Sequence, residues 1–175
     1  MKILIDVGHG KDDLGASYHG VNEKDLNLVL ASLISIVAVD YDLIVDLTRC
    51  SDKNLSGPER IDNDNDVIVS IHHNACADET ANGFEILYKD ESLLLANSLL
   101  GKIKYSSPLK NRGLKLRKSL YLLNVSKIPT VIVECGFISN IDELDTLLLP
   151  RMQYDMAVAI VEGLVDYSRV MGLES

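Results

Sequence analysis

Short runs of apolar and β-branched residues recur along this chain and are separated by segments with helical periodicity. Several runs are apolar throughout, which is typical of strands covered on both faces of a sheet. The runs are residues 3–7, 43–47, 67–71, 84–88, 121–125 and 130–133. Strands that alternate with helices predict a single-domain α/β fold, with a mostly parallel twisted sheet of about six strands and helices on both faces.

Four segments between or after the strands carry helix signals. Asn22 can cap a helix whose first turn holds Glu23 and Asp25. Residues 91–103 are amphipathic, and Pro150 is placed to begin a long helix that reaches about residue 170. A short helix is also predicted near residues 56–61. No repeat or linker interrupts the pattern, so residues 1–175 are predicted to form one domain.

Composition excludes several classes of protein. The net charge is −9, and nucleic-acid binding requires clustered Lys and Arg, so no nucleic-acid partner is expected. The first apolar run is too short for a signal peptide or a membrane span, which predicts cytoplasmic synthesis without a signal peptide and no membrane insertion. Cys50, Cys76 and Cys135 lack a C-x-x-C spacing and are predicted to be reduced. Cys50 and Cys135 adjoin apolar runs and are interpreted as small core residues.

Chemically active side chains follow the predicted strands. His9 follows the first strand between two glycines, and His72 and His73 follow residues 67–71. Glu134 follows residues 130–133, and Glu23 opens the helix after the His9 loop. Ligands of open α/β sheets bind at the carboxyl ends of strands, so these groups are expected to converge at one edge.

Two imidazoles and one carboxylate form a normal ligand set for a catalytic Zn²⁺ ion. The remaining carboxylate then suits a general base, and Glu134 is the better candidate because an unpaired acid at the end of an apolar strand is costly. Simpler interpretations stay open at this point. Glu23 could serve only the helix dipole, His73 could be a packed histidine, and Glu134 could pair with an arginine.

Five motifs, taken in order, resemble the zinc-dependent N-acetylmuramoyl-L-alanine amidases of the amidase-3 type, which occur in bacterial autolysins and phage endolysins. The resemblance covers nearly the whole chain. The motifs are Asp6-Val7-Gly8-His9-Gly10, Asn22-Glu23-Lys24-Asp25-Leu26-Asn27-Leu28, Ser70-Ile71-His72-His73-Asn74-Ala75, Asn111-Arg112-Gly113 and Val133-Glu134-Cys135-Gly136-Phe137-Ile138-Ser139-Asn140.

The resemblance implies one Zn²⁺ ion per chain, with His9, Glu23 and His72 as its ligands and Glu134 as the catalytic carboxylate. It implies hydrolysis of the amide between the lactyl group of N-acetylmuramic acid and L-alanine of the peptidoglycan stem peptide, and hence action at the bacterial cell wall. Substrate-binding candidates follow from the same motifs. They are His73, Asn74, Asn111 and Arg112.

Three rival functions remain open on the sequence. One is a zinc peptidase or carboxypeptidase that cleaves within the stem peptide, and another is a wall-binding module without turnover. The third is a cysteine hydrolase that uses Cys135. The sequence does not indicate phage or bacterial origin, stem-peptide preference or oligomeric state, and a C-terminal wall-binding domain in the parent protein stays possible.

Overall fold

Eight strands and five α-helices make up residues 1–173, the part of the chain that the computed structural model describes. The strands are β1 (Lys2–Val7), β2 (Ser17–Tyr18), β3 (Val21–Asn22), β4 (Ile44–Leu47), β5 (Val67–Asn74), β6 (Phe84–Tyr88), β7 (Asn111–Leu116) and β8 (Thr130–Phe137). The helices are α1 (Glu23–Ala38), α2 (Leu93–Ser106), α3 (Tyr121–Val125), α4 (Ile141–Leu147) and α5 (Pro150–Met171).

Six of the strands form one sheet in the order β4-β1-β5-β8-β6-β7, while β2 and β3 pair with each other as a short hairpin. Neighbouring strands are parallel except at the β8–β6 junction, which is antiparallel. The predicted mostly parallel sheet of six strands is therefore confirmed. Because β1, β5 and β8 are adjacent and parallel, their carboxyl ends meet at the same edge of the sheet.

The two faces of the sheet are covered unequally. One face packs against α1, α2 and α5 and contains the large apolar core, which includes Ile5, Val69 and Val133. The other face carries a smaller apolar cluster, in which α3 contributes Leu122 and Leu123. Helices cover both faces, as predicted, but the short α3 covers only part of the second face.

The second face of the sheet becomes polar toward the carboxyl ends of the strands, and the alternation of side chains along each strand shows which residues lie there. Side chains two residues apart on a strand point to the same side, so each apolar residue under α3 is followed by a polar residue nearer the carboxyl end. The pairs are Leu4 and Asp6 on β1, Ile68 and Ser70 on β5, and Ile132 and Glu134 on β8. The second face therefore carries polar side chains at its carboxyl end, next to the apolar cluster that α3 covers.

The predicted strand at residues 121–125 is wrong, because this segment is the helix α3. A five-residue apolar run is too short for periodicity to separate a strand from a buried helical turn. The sixth strand is instead β7, an edge strand with only two large apolar residues, Leu114 and Leu116. Helix α4 was also not predicted, although Asn140 caps it by accepting a hydrogen bond from the backbone N–H of Glu143.

The other predicted helices are confirmed with small shifts of their ends. Helix α1 begins directly after Asn22, but the Asn22 side chain makes no cap hydrogen bond. Helix α2 is preceded by a 3₁₀ turn, and the short helix near residues 56–61 is a 3₁₀ turn at Pro58–Arg60. The long helix α5 begins at Pro150, as predicted.

The two cysteines that were predicted to be core residues differ in their burial. Cys135 is buried, as predicted, but Cys50 is exposed, because the chain turns its neighbour Arg49 inward instead.

Within residues 1–173, every helix is too short or too polar to span a bilayer. Residues 174–175 of the predicted domain lie outside the described residues.

Candidate metal centre

The turn after β1 brings His9 back over the sheet edge. Its backbone adopts a left-handed conformation, with φ at 62°. The preceding Gly8 has no room for a side chain, since a Cβ atom there would lie 2.5 Å from Cε1 of His72. The two imidazole rings therefore approach closely, with centroids 4.9 Å apart and nearly perpendicular planes.

Glu23 lies between the two rings. Its Oε2 atom is 3.1 Å from Nε2 of His9, and its Oε1 atom is 2.8 Å from Nδ1 of His72. The backbone N–H groups of Ala16 and His73 also donate to this carboxylate, which fixes its orientation. One donor atom from each of the three residues lies within 4.8 Å of the others.

This donor set fits a divalent metal ion of the zinc type. Two imidazole nitrogens and one carboxylate are a common catalytic ligand set that leaves a further coordination position. Nδ1 of His9 lies 2.9 Å from Oδ2 of Asp13, so its Nε2 atom is directed toward Glu23. Carboxylate partners of this kind orient metal-binding histidines in many proteins. His9, Glu23 and His72 are therefore the candidate ligands.

The electrostatics of the cluster favour protonated imidazole rings. Burial opposes protonation of His9, but hydrogen bonds and negative charge from Glu23 and Asp13 outweigh it and raise its pKa to about 9. The pKa of His72 is also raised, because Glu23 and Glu134 outweigh its desolvation. Desolvation alone would raise the pKa of Glu23, but hydrogen bonds to the two histidines outweigh it and hold this pKa well below its usual range. Metal binding must therefore displace protons from the rings.

Glu134 lies beside this cluster on the neighbouring strand. It is the register partner of His72 in the parallel β5–β8 pair, so both side chains project from the same face. Among residues 1–173, its carboxylate has no hydrogen-bond or ion-pair partner, which excludes the pairing with an arginine that the sequence left open. Burial, together with the charges of Glu23 and Glu85, raises the pKa of Glu134 to about 7, although His72 and His9 oppose this rise. A carboxyl group with this pKa can both accept and donate a proton near neutral pH.

Two arginines that sequence reasoning missed hold the His9 turn in place. Arg49 is only 3% exposed and donates to the carbonyl oxygens of Val7, Gly8 and Lys24. These bonds tie the turn to the first turn of α1, which carries Glu23. No spacing in the sequence marks Arg49 for this role.

Arg60 holds the turn from the other side. It donates to the carbonyl oxygens of Val7 and His9 and to the carboxylate of Asp6, at 2.8, 3.1 and 3.0 Å. Asp6 is itself buried and accepts a 2.6 Å hydrogen bond from the hydroxyl of Ser70. Asp6 therefore supports the turn through Arg60.

The structure does not bring His73 to this site. Its side chain projects from the opposite face of β5, is 5% exposed and has Nδ1 2.8 Å from Oδ1 of Asn27. Burial lowers its pKa to about 4, so the ring is neutral. The simpler interpretation of a packed histidine therefore describes His73, and its ring does not line the cleft.

The other substrate-binding candidates lie on β5 and β7. Asn74 ends β5, and its Oδ1 atom accepts a hydrogen bond from the next backbone N–H. Asn111 is exposed at the start of β7. Arg112 lies 2.8 Å from Glu85, which is the register partner of Glu134 across the β6–β8 pair. Arg112 therefore contacts Glu85, whose strand neighbour is Glu134. A substrate contact for Asn74, Asn111 or Arg112 stays a prediction.

Cys135 does not have the properties of a nucleophile. It is fully buried in the core on the face opposite Glu134. Burial raises the pKa of its thiol well above the usual value, whereas reactive cysteines have lowered pKa values and accessible sulfur atoms. The cysteine-hydrolase alternative therefore has no support from the site.

A family model described as N-acetylmuramoyl-L-alanine amidase matches residues 3–166, which is nearly the whole chain. The chain belongs to the amidase-3 family. This family is metal-dependent, and its catalytic domains are α/β folds with a sheet of this kind. The family resemblance stated from the five motifs is confirmed.

Relatives with known sequences and structures support membership of the amidase-3 family. The chain is 32% identical over 176 residues to the N-acetylmuramoyl-L-alanine amidase LytC of Bacillus subtilis, with 95% of the chain and 35% of LytC covered. It is 33% identical to the uncharacterized protein YqiI of the same organism, with 94% of the chain and 84% of YqiI covered. The chain thus spans about a third of LytC but most of YqiI.

The fold matches solved amidase-3 structures closely. The catalytic domain of CwlV, an N-acetylmuramoyl-L-alanine amidase from Bacillus (Paenibacillus) polymyxa var. colistinus, superimposes with a TM-score of 0.92 at 29% identity. The superposition covers 97% of this chain and 98% of the CwlV domain. The six-stranded sheet is therefore that of the amidase-3 fold.

The contact between Asp13 and His9 leads to a first prediction for this amidase-3 site. Asp13→Asn weakens the orientation of the His9 ring and removes a negative charge next to it, so metal affinity is expected to fall about 10–100-fold. Competition with a chromophoric chelator measures this change. Asp12→Asn is the matched control, because Asp12 contacts Asn54 and not His9. Equal affinities for the two variants would contradict the role given to Asp13.

Proposed function

We propose that this domain hydrolyses the amide that joins the lactyl group of N-acetylmuramic acid to L-alanine of the peptidoglycan stem peptide. One Zn²⁺ ion would be held by His9, Glu23 and His72, and Glu134 would act as general base and then as general acid. Residues 1–175 would be a catalytic domain that acts on the bacterial cell wall and has no nucleic-acid partner.

The observation that carries the proposal is the position of Glu134. Its carboxylate is half-buried and unpaired within residues 1–173, and it neighbours a cluster of three metal-type donors. An unpaired carboxylate at such a place is costly for stability, and a catalytic role explains why it is kept. Membership of the amidase-3 family supplies the reaction class.

A bound Zn²⁺ ion would act as a Lewis acid that polarises the scissile carbonyl and makes water more acidic. The chain itself moves the protons. Glu134 accepts a proton from the attacking water at its carboxylate and then donates it to the nitrogen of the departing alanine. The burial that raises the pKa of Glu134 favours the return of this proton.

The fixed parts of the site contribute by orientation. Asp13 orients the His9 ring through its Nδ1 atom, so that Nε2 of His9 and Nδ1 of His72 both face the Glu23 carboxylate. Arg49 and Arg60 hold the turn that carries His9, so the ring does not have to be ordered when substrate arrives. Preorganisation of this kind lowers the cost of reaching the transition state.

Digestion of purified peptidoglycan tests the proposed reaction. The zinc-loaded protein is expected to release stem peptides with a free amine on L-alanine and to leave intact glycan strands with free lactyl carboxylates, as read by mass spectrometry. Chelation should abolish release, and added zinc should restore it. Products that keep alanine on muramic acid would identify a peptidase instead, and tight wall binding without any product would identify a binding module.

A further inference from the structure

A recess of about 190 Å³ opens on the second face of the sheet, next to the metal cluster and across the ends of β1 and β5. Its walls differ in character. Asp6, Ser70 and Arg60 contribute polar groups, and Tyr121, Leu122 and Ile132 contribute apolar ones. His9 and His72 of the candidate metal centre also line the recess. Binding sites for small polar ligands commonly combine an apolar wall with a few directed polar groups.

Tyr121 is the most exposed aromatic group in this recess. Tyr121 is 50% exposed, and its hydroxyl group has no hydrogen-bond partner among residues 1–173. The ring is nevertheless held in place, because it packs on the backbone of Gly57, where a Cβ atom would lie only 2.5 Å from Cε1 of Tyr121. A fixed ring with a free polar tip offers a ligand a flat apolar surface at little cost in entropy.

The strand order decides which half of the substrate faces this recess. Glu134 donates its proton to the departing nitrogen, so the stem peptide must leave on the β8 side of the metal cluster. The acyl half of the amide then lies toward β5 and β1, whose residues Asp6, Ser70 and His72 line the recess, whereas Glu134 does not. This step rests on the proposed amidase activity.

We propose that the recess binds the hexopyranose ring of the muramyl residue, with one face of the sugar stacked on Tyr121. A pyranose presents polarised C–H groups on its faces, which suit the negative face of an aromatic ring. Its rim carries hydroxyl and acetamido groups, which suit a polar wall. Arg60 uses three of its five N–H donors on Asp6, Val7 and His9, so two remain for this rim.

Two substrates with the same scissile amide and the same stem tripeptide test this assignment. One carries the complete N-acetylmuramoyl group, and the other carries only the D-lactoyl group and no sugar ring. The wild type is expected to show a KM about ten-fold lower for the muramoyl peptide. Tyr121→Ala should raise that KM about ten-fold, with kcat unchanged, and leave the lactoyl peptide unaffected.

Further variants separate stacking from simple packing. Tyr121→Phe keeps the aromatic face and should keep the preference, whereas Tyr121→Leu keeps apolar bulk and should lose it. Tyr154→Ala is the matched control, because Tyr154 is 48% exposed on α5, which packs on the other face of the sheet. Melting temperatures establish that each variant is folded.

Saturation-transfer NMR gives a readout that needs neither metal nor turnover. Free N-acetylmuramic acid is expected to receive saturation at its ring protons from the wild type and from Tyr154→Ala, but not from Tyr121→Ala. Failure of the wild type to cleave either peptide would overturn the amidase activity and this inference with it. Cleavage of both peptides with equal KM, or equal NMR signals from all three proteins, would overturn the sugar subsite alone.

Discussion

Replacement of Glu134 by glutamine is expected to lower the rate of amide hydrolysis about 10²–10⁴-fold, the usual contribution of a positioned acid or base. Glutamine has nearly the same shape but can neither accept nor donate the proton that the reaction moves. The zinc content should stay at one ion per chain, because Glu134 is not among the three clustered donors. Wall-digest rates and metal analysis of the purified variant measure both effects.

The pH profile provides a second readout for the same variant. In the wild type, kcat/KM is expected to fall on the acid side of its pH profile, because Glu134 must be ionised to accept a proton and its burial raises its pKa above that of an ordinary carboxyl group. The glutamine variant should lack this part of the profile. Glu91→Gln, at an exposed position, is the control and should match the wild type. Near-normal lysis by Glu134→Gln would refute the assigned role.

Loss of the Glu23 carboxylate is expected to have the largest effect on metal binding. Glu23 contacts both imidazole rings and carries the negative charge of the donor set. Removal of an outer partner of a metal ligand usually costs 10–100-fold in affinity, so Glu23→Gln should cost more than 100-fold. Activity at limiting zinc should fall in proportion, and equilibrium dialysis measures the affinity.

Asp25→Asn is a matched control that addresses the helix-dipole interpretation of Glu23. Both substitutions remove one negative charge from the first turn of α1, but Asp25 is exposed and does not touch the rings. A charge at a helix N-terminus stabilises the helix by about 0.3–1 kcal/mol, so both variants can show a small drop in melting temperature. If both variants kept full zinc affinity, Glu23 would be only a helix-terminal charge.

The convergence of the candidate site could be predicted from the sequence because it depends on local rules. Buried parallel strands are recognised by uninterrupted apolar residues, and their carboxyl ends must meet at one edge. His9, His72 and Glu134 each lie at or near such an end, and Glu23 opens the next helix. The structure brings the first two and Glu23 into one cluster, with Glu134 beside it.

Other parts of the molecule could not be predicted because their roles depend on distant partners. Strand β7 is weakly apolar and exists because it pairs with β6 at the edge. Helix α3 has the composition of a strand and is distinguished only by its packing over the sheet. Arg49 resembles any surface arginine until the fold surrounds it with three carbonyl oxygens.

The sequence by itself determined the fold class, the family and the set of side chains available for chemistry, because apolar periodicity and short motifs are local properties. The family resemblance already assigned His72 to the metal site, but only the tertiary structure decided that His73, predicted to bind substrate, is packed in the core. Neighbouring residues on a strand point to opposite faces, and the burial of each face is set by helices far away in the chain. The same reason explains the recess beside Tyr121, since residues from β1, β5, β8 and α3 form it only after the sheet is assembled.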